Sequence, residues 1–317
     1  MSGPDGRDEA MRILGSFATA DEPLAPYTTY KLGGPAAVFA SPRNDEELLL
    51  VAAAARATGL PILVVGRGSN LLVADRGFDG IAVSLASMSE WVEFDDDVVH
   101  AGAAVALPVL ARRCVAGGLL GFEWAVGVPG SVGGAVRMNA GGHGSDMAAC
   151  LLGAKVLDLR STNRAWVPVD ALGLHFRGSQ LADHQVVLDA TLQLAHGDAV
   201  AGEATLADIV RWRREHQPGG QNAGSVFVNP IPGELPAAVL IDRLGLRGFR
   251  IGGAFVSDKH ANFIQATEGA SAADVRAVME HVRAMVEEHT GFVLRSEVRL
   301  VGFPDVADAG DREGIAL

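Results

Sequence analysis

The sequence predicts an α+β protein of two or three domains. Its 317 residues exceed the usual length of a single domain. Short apolar runs of strand length end in glycine-rich turns, as at residues 62–65, while helical periodicity occupies separate stretches such as residues 107–116. No sequence period of 20 to 50 residues recurs, which excludes a repeat architecture.

The composition is typical of a folded, soluble protein, with 49% hydrophobic and 20% charged residues. A net charge of −12 argues against a nucleic-acid partner, because phosphate binding requires a concentrated basic surface. No apolar run reaches the ~18 residues of a membrane span, and the N-terminus lacks the features of a signal peptide. Cys114 and Cys150 lack metal-type spacing, and we expect two buried thiols. The sequence therefore predicts a cytoplasmic protein without a metal, membrane or nucleic-acid partner.

The first elements form a small α/β unit. Residues 1–20 are expected to be a loose tail or a short helix, with order beginning at Tyr27. Asn44, with Glu47 three residues later, predicts the start of a helix. Strands are expected at residues 37–40, 62–65 and 81–85.

The middle of the chain is richer in strands, and a third region follows it. Strands are expected at 98–101, 154–159 and 185–194, and helices at 107–116 and 204–216. Pro218 and two glycines after it indicate a boundary. Beyond it we expect a helix at 236–244, a helix capped by Ser271, a final strand at 293–301 and an acidic tail after Phe303.

Two glycine-rich loops indicate a bound cofactor. Residues 127–144 read GVPGSVGGAVRMNAGGHG, and residues 64–75 read VVGRGSNLLVAD. Glycine tolerates positive φ and lets peptide N–H groups turn toward an anionic or flat ligand. Tight turns between short strands are the alternative for one such loop, and the second loop favours a cofactor. Neither common nucleotide fingerprint is present, which disfavours a Rossmann domain.

Six motifs occur in an order that resembles the UDP-N-acetylenolpyruvoylglucosamine reductase family. They are GRGSNLLVAD, GVPGSVGGAVRMNAG, FRGS, AGSVFVNP, IGGAFVSDKHANF and LRSEVRLVG, and the likeness covers residues 24–302. It implies a two-subdomain FAD-binding fold of the vanillyl-alcohol oxidase type, followed by a C-terminal α/β substrate domain. The implied domains are 21–90, 91–216 and 217–303, between tails at 1–20 and 304–317. The chain is similar to the shorter class of the family.

The resemblance implies non-covalent FAD, NADPH as hydride donor and a UDP-sugar substrate. We also expect a monomer. The residues that it assigns to the cofactor all lie in the two glycine-rich stretches: Gly66, Arg67, Gly68, Ser69, Asn70, Gly127, Pro129, Gly130, Ser131, Gly133, Gly134 and Asn139.

Three residues match the catalytic positions of the family. Hydride addition to the enolpyruvyl carbon C3 leaves negative charge at C2, which then needs a cation and a proton donor. Ser225 matches the proton donor, Arg177 can polarise the substrate carboxylate, and Glu297 can orient a donor or a water. The residues alone favour a turn hydroxyl for Ser225, a surface charge for Arg177 and the solvated side of a strand for Glu297, and the catalytic roles depend on the resemblance. Phe176 stands where the family usually has tyrosine.

Four further residues are expected near the substrate diphosphate and sugar: Asn229, Arg247, Lys259 and His260. Arg247 offers a bidentate fork to phosphate where the family often has lysine. Val228 replaces a common lysine, so one expected charge is missing. The three basic residues are, as a class, more often solvated surface groups than ligands.

Two other functions are compatible with these motifs. One is an FAD-dependent oxidoreductase of the same fold that acts on a different sugar or alcohol. Oxidases of that kind often tether FAD through histidine or cysteine, and the loop at residues 64–75 contains neither. The other is a sugar-nucleotide binding protein that performs no redox step.

Overall fold

Helices and strands form three sheets of three or more strands and several short ribbons. The computed structural model describes residues 4–231, 233–304, 315 and 317. Its α-helices are α1 Pro4–Leu14, α2 Asp45–Thr58, α3 Leu107–Ala116, α4 Val132–Met138, α5 Ala199–His216, α6 Ala237–Arg243 and α7 Ala272–Thr290. Its strands are β1 Ala18–Pro23, β2 Pro35–Ala40, β3 Ile62–Val64, β4 Leu71–Val73, β5 Phe78–Val83, β6 Val92–Asp95, β7 Val98–Gly102, β8 Leu119–Leu120, β9 Gly141–Gly142, β10 Ser145–Asp146, β11 Leu151–Asp158, β12 Arg164–Pro168, β13 Gln185–Gln193, β14 Ala195–His196, β15 Arg250–Ile251, β16 Ala254–Val256, β17 Ile264–Ala266 and β18 Arg299–Val301.

The first sheet has the order β1-β2-β5-β3. β5 runs parallel to both β2 and β3, with α2 as the crossover, and β1 adds an antiparallel edge. The predicted start of α2 is confirmed, since the Asn44 side chain accepts a hydrogen bond from the Glu47 N–H at 2.9 Å. β3 ends at Val64 and leads directly into the first glycine-rich loop.

The second sheet is antiparallel and has the order β12-β11-β13-β7-β6. Its long central strands β11 and β13 carry almost continuous buried residues, as expected for strands covered on both sides. One apolar core joins this sheet to the first, because Val38 and Val83 belong to the same buried cluster as Leu110 and Val156. The expected boundary between the two FAD-binding subdomains at residue 90 thus lies between the two sheets, and the two subdomains share one apolar core.

The C-terminal region has its own core around α7. Ser271 caps this helix as predicted, and the structure adds a reciprocal bond from Asp274 that completes a capping box. Val275, Val278 and Val282 bury one face of the helix against the sheet β15-β16-β17. The N-terminal part of the chain also contributes to this core. Tyr30 is fully buried there, and its hydroxyl donates to the Ile264 carbonyl at 3.1 Å.

Two expectations about the chain ends are wrong. Order begins well before Tyr27, because α1 packs on α2 with Ala10 and Leu14 buried, and β1 pairs with β2. The final strand is confined to β18, since the Ser296 hydroxyl donates to the Val298 carbonyl at 2.7 Å and interrupts the expected ladder.

The expected tail falls mostly outside the described residues, which resume at residues 315 and 317. There, the Gln185 side chain makes two hydrogen bonds to the Ile315 backbone. No helix among residues 4–231 and 233–304 is both long and apolar enough to span a bilayer. Cys114 and Cys150 are both buried and unbridged, as predicted.

Candidate active site

Both glycine-rich loops and all three predicted catalytic residues line one cavity of about 550 Å³. Residues of both loops line the cavity together with residues of the C-terminal region. Its polar and charged lining includes Arg67, Ser69, Asn70, Ser131, Arg137, His143, Arg177, Arg213, Gln217, Asn222, Ser225, Glu297 and Arg299.

The first loop presents a row of free peptide donors. The N–H groups of Arg67, Gly68, Ser69 and Asn70 make no hydrogen bond to another described residue, although these residues line the cavity. Gly68 has φ +56°, and a Cβ there would collide with the carbonyl oxygen of Tyr27. Unpaired peptide donors around a cavity suit an anionic ligand such as a pyrophosphate. These residues therefore fit the FAD that the sequence predicts.

The two glycine-rich loops contact each other at Gly66. A Cβ on Gly66 would lie 2.6 Å from the Ser131 hydroxyl oxygen, so a side chain there would separate the loops. Pro129, Gly130 and Gly134 line the cavity beside Ser131, and their contact with the cofactor stays a prediction.

Three residues predicted to bind the cofactor are not among those that line the cavity. A Cβ on Gly133 would lie 2.9 Å from the Ala103 Cβ, so this glycine permits close packing on the segment after β7. Gly127 packs in the same way on the Arg213 side chain. Asn139 is buried with φ +40°, and its amide bonds to the Asp146 carboxylate and the Ala148 N–H. These three residues shape the wall without lining it.

The first loop is joined directly to the strand that carries Glu297. The Asn70 side-chain amide donates to the Glu297 carbonyl at 2.9 Å, and the Asn70 carbonyl accepts from the Arg299 N–H at 2.9 Å. β18 then continues parallel to β4. The loop and Glu297 therefore occupy fixed positions relative to each other, although 227 positions of sequence separate them.

Arg177 and Glu297 form a largely buried ion pair beside the cavity. The Arg177 Nε lies 2.8 Å from a Glu297 carboxylate oxygen, and the Nη1 donates to the Gly141 carbonyl at 3.0 Å. Arg177 has φ +58°, an unusual conformation for a residue other than glycine, which turns its side chain back toward the second loop. Burial raises the pKa of Glu297, and the Arg177 charge opposes that rise. Arg177 is thus held by Gly141 and Glu297, while the Phe176 ring is half exposed.

Ser225 lines the cavity from the segment between α5 and α6. Its Oγ makes no hydrogen bond to another described residue, which argues against a turn hydroxyl satisfied by the backbone. Gly224 precedes it with φ +76°, and open space surrounds the position where a Cβ would stand. The Glu297 N–H donates to the Val226 carbonyl at 2.8 Å, which sets the Ser225 and Glu297 segments side by side.

Several cavity residues were not predicted from sequence. Arg213 and Gln217 lie at the end of α5, where the sequence shows only a basic helix terminus. Arg137 and Arg299 both pair with the Asp183 carboxylate, Arg299 at 2.7 Å. Ion pairs between residues so distant in sequence leave no local signal. For Arg213 a signal was present, because it lies close to the predicted domain boundary at Pro218.

The four residues predicted to bind the substrate diphosphate and sugar do not line this cavity. Asn229 accepts the N–H of Ala237 at the start of α6, and Arg247 pairs with Asp242 at 2.5 Å. The Lys259 ammonium donates to the Arg214 carbonyl. Burial lowers the pKa of His260. Their contact with substrate stays a prediction.

Comparison with known proteins identifies the family. Residues 35–162 match the family described as FAD binding domain, and residues 213–301 match that described as UDP-N-acetylenolpyruvoylglucosamine reductase, C-terminal domain. The reductase of that name from Heliobacterium modesticaldum is 43% identical over 89% of this chain and 90% of its own length. That from Rubrobacter xylanophilus is 39% identical over 94% and 99%.

A solved structure agrees with these sequence matches. The crystal structure of UDP-N-acetylenolpyruvylglucosamine reductase from Thermus caldophilus superposes with a TM-score of 0.75 at 32% identity, covering 90% of this chain and 98% of that one. The predicted α+β fold with an FAD-binding domain is thereby confirmed. The chain belongs to the UDP-N-acetylenolpyruvoylglucosamine reductase family.

Proposed function

We propose that this protein uses FAD and NADPH to reduce the enolpyruvyl group of UDP-N-acetylglucosamine enolpyruvate, giving UDP-N-acetylmuramate. One observation carries the proposal: Arg177, Ser225 and Glu297 come from three separate segments and meet at the cavity that both glycine-rich loops line. The names of the relatives support the same reaction. The reaction belongs to peptidoglycan precursor synthesis, and we expect a monomer working in the cytoplasm.

The first loop would hold the cofactor through its backbone. The free N–H groups of residues 67–70 match the oxygens of a pyrophosphate, and the Ser69 hydroxyl adds one further donor. Bound FAD supplies the hydride, taken from NADPH, that adds to the enolpyruvyl double bond. The first loop, residues 64–75, contains neither cysteine nor histidine, which supports non-covalent attachment, and the second loop contains His143 but no cysteine.

Arg177 would stabilise the negative charge that hydride addition leaves on the substrate. A guanidinium beside the enolpyruvyl carboxylate stabilises the enolate more than the neutral alkene, and this difference lowers the barrier. The Gly141 carbonyl and the Glu297 carboxylate fix the guanidinium in advance. Because burial raises the pKa of Glu297, this carboxyl can exchange a proton nearer to neutral pH than an exposed glutamate can.

Ser225 would deliver the proton to C2. Its hydroxyl has no acceptor among the described residues and can therefore turn toward a ligand in the cavity. A serine hydroxyl is a weak acid, so the step needs a proton source behind it. The Glu297 N–H donates to the carbonyl of Val226, the residue after Ser225, so the two segments lie side by side. Glu297 is therefore the candidate for that proton source.

The proposal is tested with the purified yellow protein under anaerobic conditions. NADPH should bleach the flavin, and UDP-N-acetylglucosamine enolpyruvate should restore the oxidised spectrum in the same cuvette. If a different sugar or alcohol is the partner instead, bleaching by that compound would identify an oxidoreductase of the same fold with another substrate. A colourless protein that FAD cannot reconstitute would contradict the whole proposal.

The four predicted substrate residues form part of the same proposal. The Arg247 guanidinium is paired with both oxygens of the Asp242 carboxylate and also donates to the Asp258 carbonyl at 2.6 Å. Replacing Arg247 with glutamine should raise the KM for the sugar nucleotide and leave bleaching by NADPH unchanged. Replacing the exposed Arg250, which stacks on Phe255, provides the matched control.

A further inference from the structure

Arg213 is a half-buried cation without a partner in the described part of the chain. It lines the cavity, and no hydrogen bond or ion pair joins its guanidinium to a described residue. Burial alone lowers its pKa, and no carboxylate acts against that effect. Guanidinium groups stay charged in proteins, so a desolvated one without a counter-charge is unfavourable unless a ligand pairs with it.

The fold nevertheless holds this side chain in a defined place. The Arg213 stem packs against Gly127, where a Cβ would lie 2.9 Å from its Cδ. His143 and Ile209 stand on the two sides of the same glycine position. Gly127 leaves room for the Arg213 stem, and the same arginine lines the cavity, which together indicate a ligand-binding role.

Gln217 adds a second unpartnered group beside it. The Gln217 N–H donates to the Arg213 carbonyl at 2.8 Å, so the two side chains lie one helical turn apart at the end of α5. The Gln217 Oε1 is buried without a hydrogen-bond partner, and its residue lines the cavity. A side-chain amide offers one acceptor and two donors, and rotation about its last bond can turn either toward a ligand.

The combination selects one kind of ligand edge. A phosphate could accept from Arg213 and from the Gln217 Nε2, but it would leave the buried Gln217 Oε1 without a donor. An imide, which has an N–H between two carbonyl oxygens, satisfies both, because the guanidinium donates to one carbonyl and the amide pairs with the N–H and the other. Two molecules of the proposed reaction carry this edge: the isoalloxazine ring of FAD and the uracil of the sugar nucleotide.

We propose that Arg213 and Gln217 form a recognition site for the imide edge of a bound flavin or uracil ring. The inference rests on the proposed function for the supply of these ligands. It assigns to the C-terminal turn of α5 a specificity role that is separate from the proton and carboxylate chemistry of Ser225, Arg177 and Glu297.

Ligands methylated at the imide nitrogen test the assignment. In the flavin arm, holoenzyme is equilibrated with a mixture of FAD and N3-methyl-FAD, and the flavins released by acid are then quantified. In the uracil arm, UDP and 3-methyl-UDP are titrated into the oxidised holoenzyme and followed by the flavin spectrum. One lost hydrogen bond and one buried amide left unpaired should give about tenfold discrimination in the arm that uses the site.

Substitutions assign that discrimination to the two residues. Gln217→Met should abolish it by removing the amide, whereas the neighbouring exposed Arg214→Gln should retain it. Arg213→Lys should weaken binding of the unmethylated ligand about tenfold, because ammonium lacks the planar fork. Discrimination in the flavin arm identifies the flavin as the ligand, and discrimination in the uracil arm identifies the nucleotide.

The contrary results are equally defined. If wild-type protein discriminates in neither arm, or if Gln217→Met still discriminates, the assignment is wrong. Arg213→Gln could also lose binding of FAD or UDP while wild-type protein does not discriminate between the methylated and unmethylated ligands. That result would show that Arg213 binds phosphate, and it would overturn the imide assignment. Bleaching by NADPH in the same preparations tests the proposed function separately, so the failure of one cannot be mistaken for failure of the other.

Discussion

Ser225→Ala separates the two halves of the proposed reaction. If the hydroxyl protonates C2 but takes no part in reducing the flavin, bleaching by NADPH should proceed at nearly the wild-type rate. Reoxidation by the enolpyruvyl substrate should slow by about 10² to 10⁴, which is about 3 to 5 kcal/mol of barrier. The upper end applies if no water can enter in place of the hydroxyl.

The structure predicts little change in stability for this variant. The Ser225 hydroxyl makes no hydrogen bond to a described residue, and the bridge to Phe263 uses only backbone. Removing it should therefore change the free energy of unfolding by no more than about 0.5 kcal/mol. FAD content and Tm should stay close to those of the wild type.

Stopped-flow measurement of the two half-reactions decides the question. Ser296→Ala is the matched control, since its hydroxyl bonds to the Val298 carbonyl at 2.7 Å on the segment that faces Ser225. It should lower Tm and leave both half-reactions intact. Equal slowing of both half-reactions in Ser225→Ala would assign the serine to positioning the loop or the flavin, and no slowing of either would require a different proton donor.

Three further predictions follow from the site. Acid denaturation should release all of the flavin; colour that remained with the precipitate would contradict non-covalent binding and would point to His143, whose ring lines the cavity. NADPH and the sugar nucleotide should compete for the oxidised enzyme, because no separate nicotinamide fingerprint is present in the sequence; steady-state patterns of a ternary complex would count against a shared site. The pKa of Glu297 is raised by burial above its ordinary value of 4.5, so its contribution to stability is fully present below that value and is lost as the pH rises through the folded-state pKa. Wild-type protein should accordingly lose stability relative to Glu297→Gln over that interval, as denaturant titrations between pH 4 and pH 8 can measure, and parallel curves would refute the argument.

Local signals in the sequence predicted many of the elements. The bounds of α3 agree with prediction because its apolar face is continuous. The predicted cap at Ser271 marks the start of α7, whose apolar face is also continuous. β1 was missed for the opposite reason. Its residues, ATADEP, are small or polar, and the strand exists because β2 offers a partner for it.

The sequence motifs predicted the part of the candidate site that is formed by the backbone of the glycine-rich loops. The loop with Gly66 and Gly68 lines the cavity, and these glycines are visible in the sequence. Gly68 accommodates the close approach of the Tyr27 carbonyl, and Gly66 that of the Ser131 hydroxyl. The ion-pair partners of the charged side chains could not be predicted from motifs. Asp183 joins Arg137 to Arg299 across distant segments, and Arg247 is engaged by Asp242 five positions earlier, a local pairing that the family likeness did not suggest.

The bond between Asn70 and Glu297 has a consequence for how the enzyme is made. A ribosome adding about 5 to 20 residues per second needs about 10 to 45 seconds to add Glu297 after it has added Asn70. During that time the peptide donors of the first loop exist on a nascent chain that lacks the strand fixing them. Flavin uptake should therefore follow translation, and chains that terminate before residue 297 should remain colourless even where their N-terminal sheets have folded.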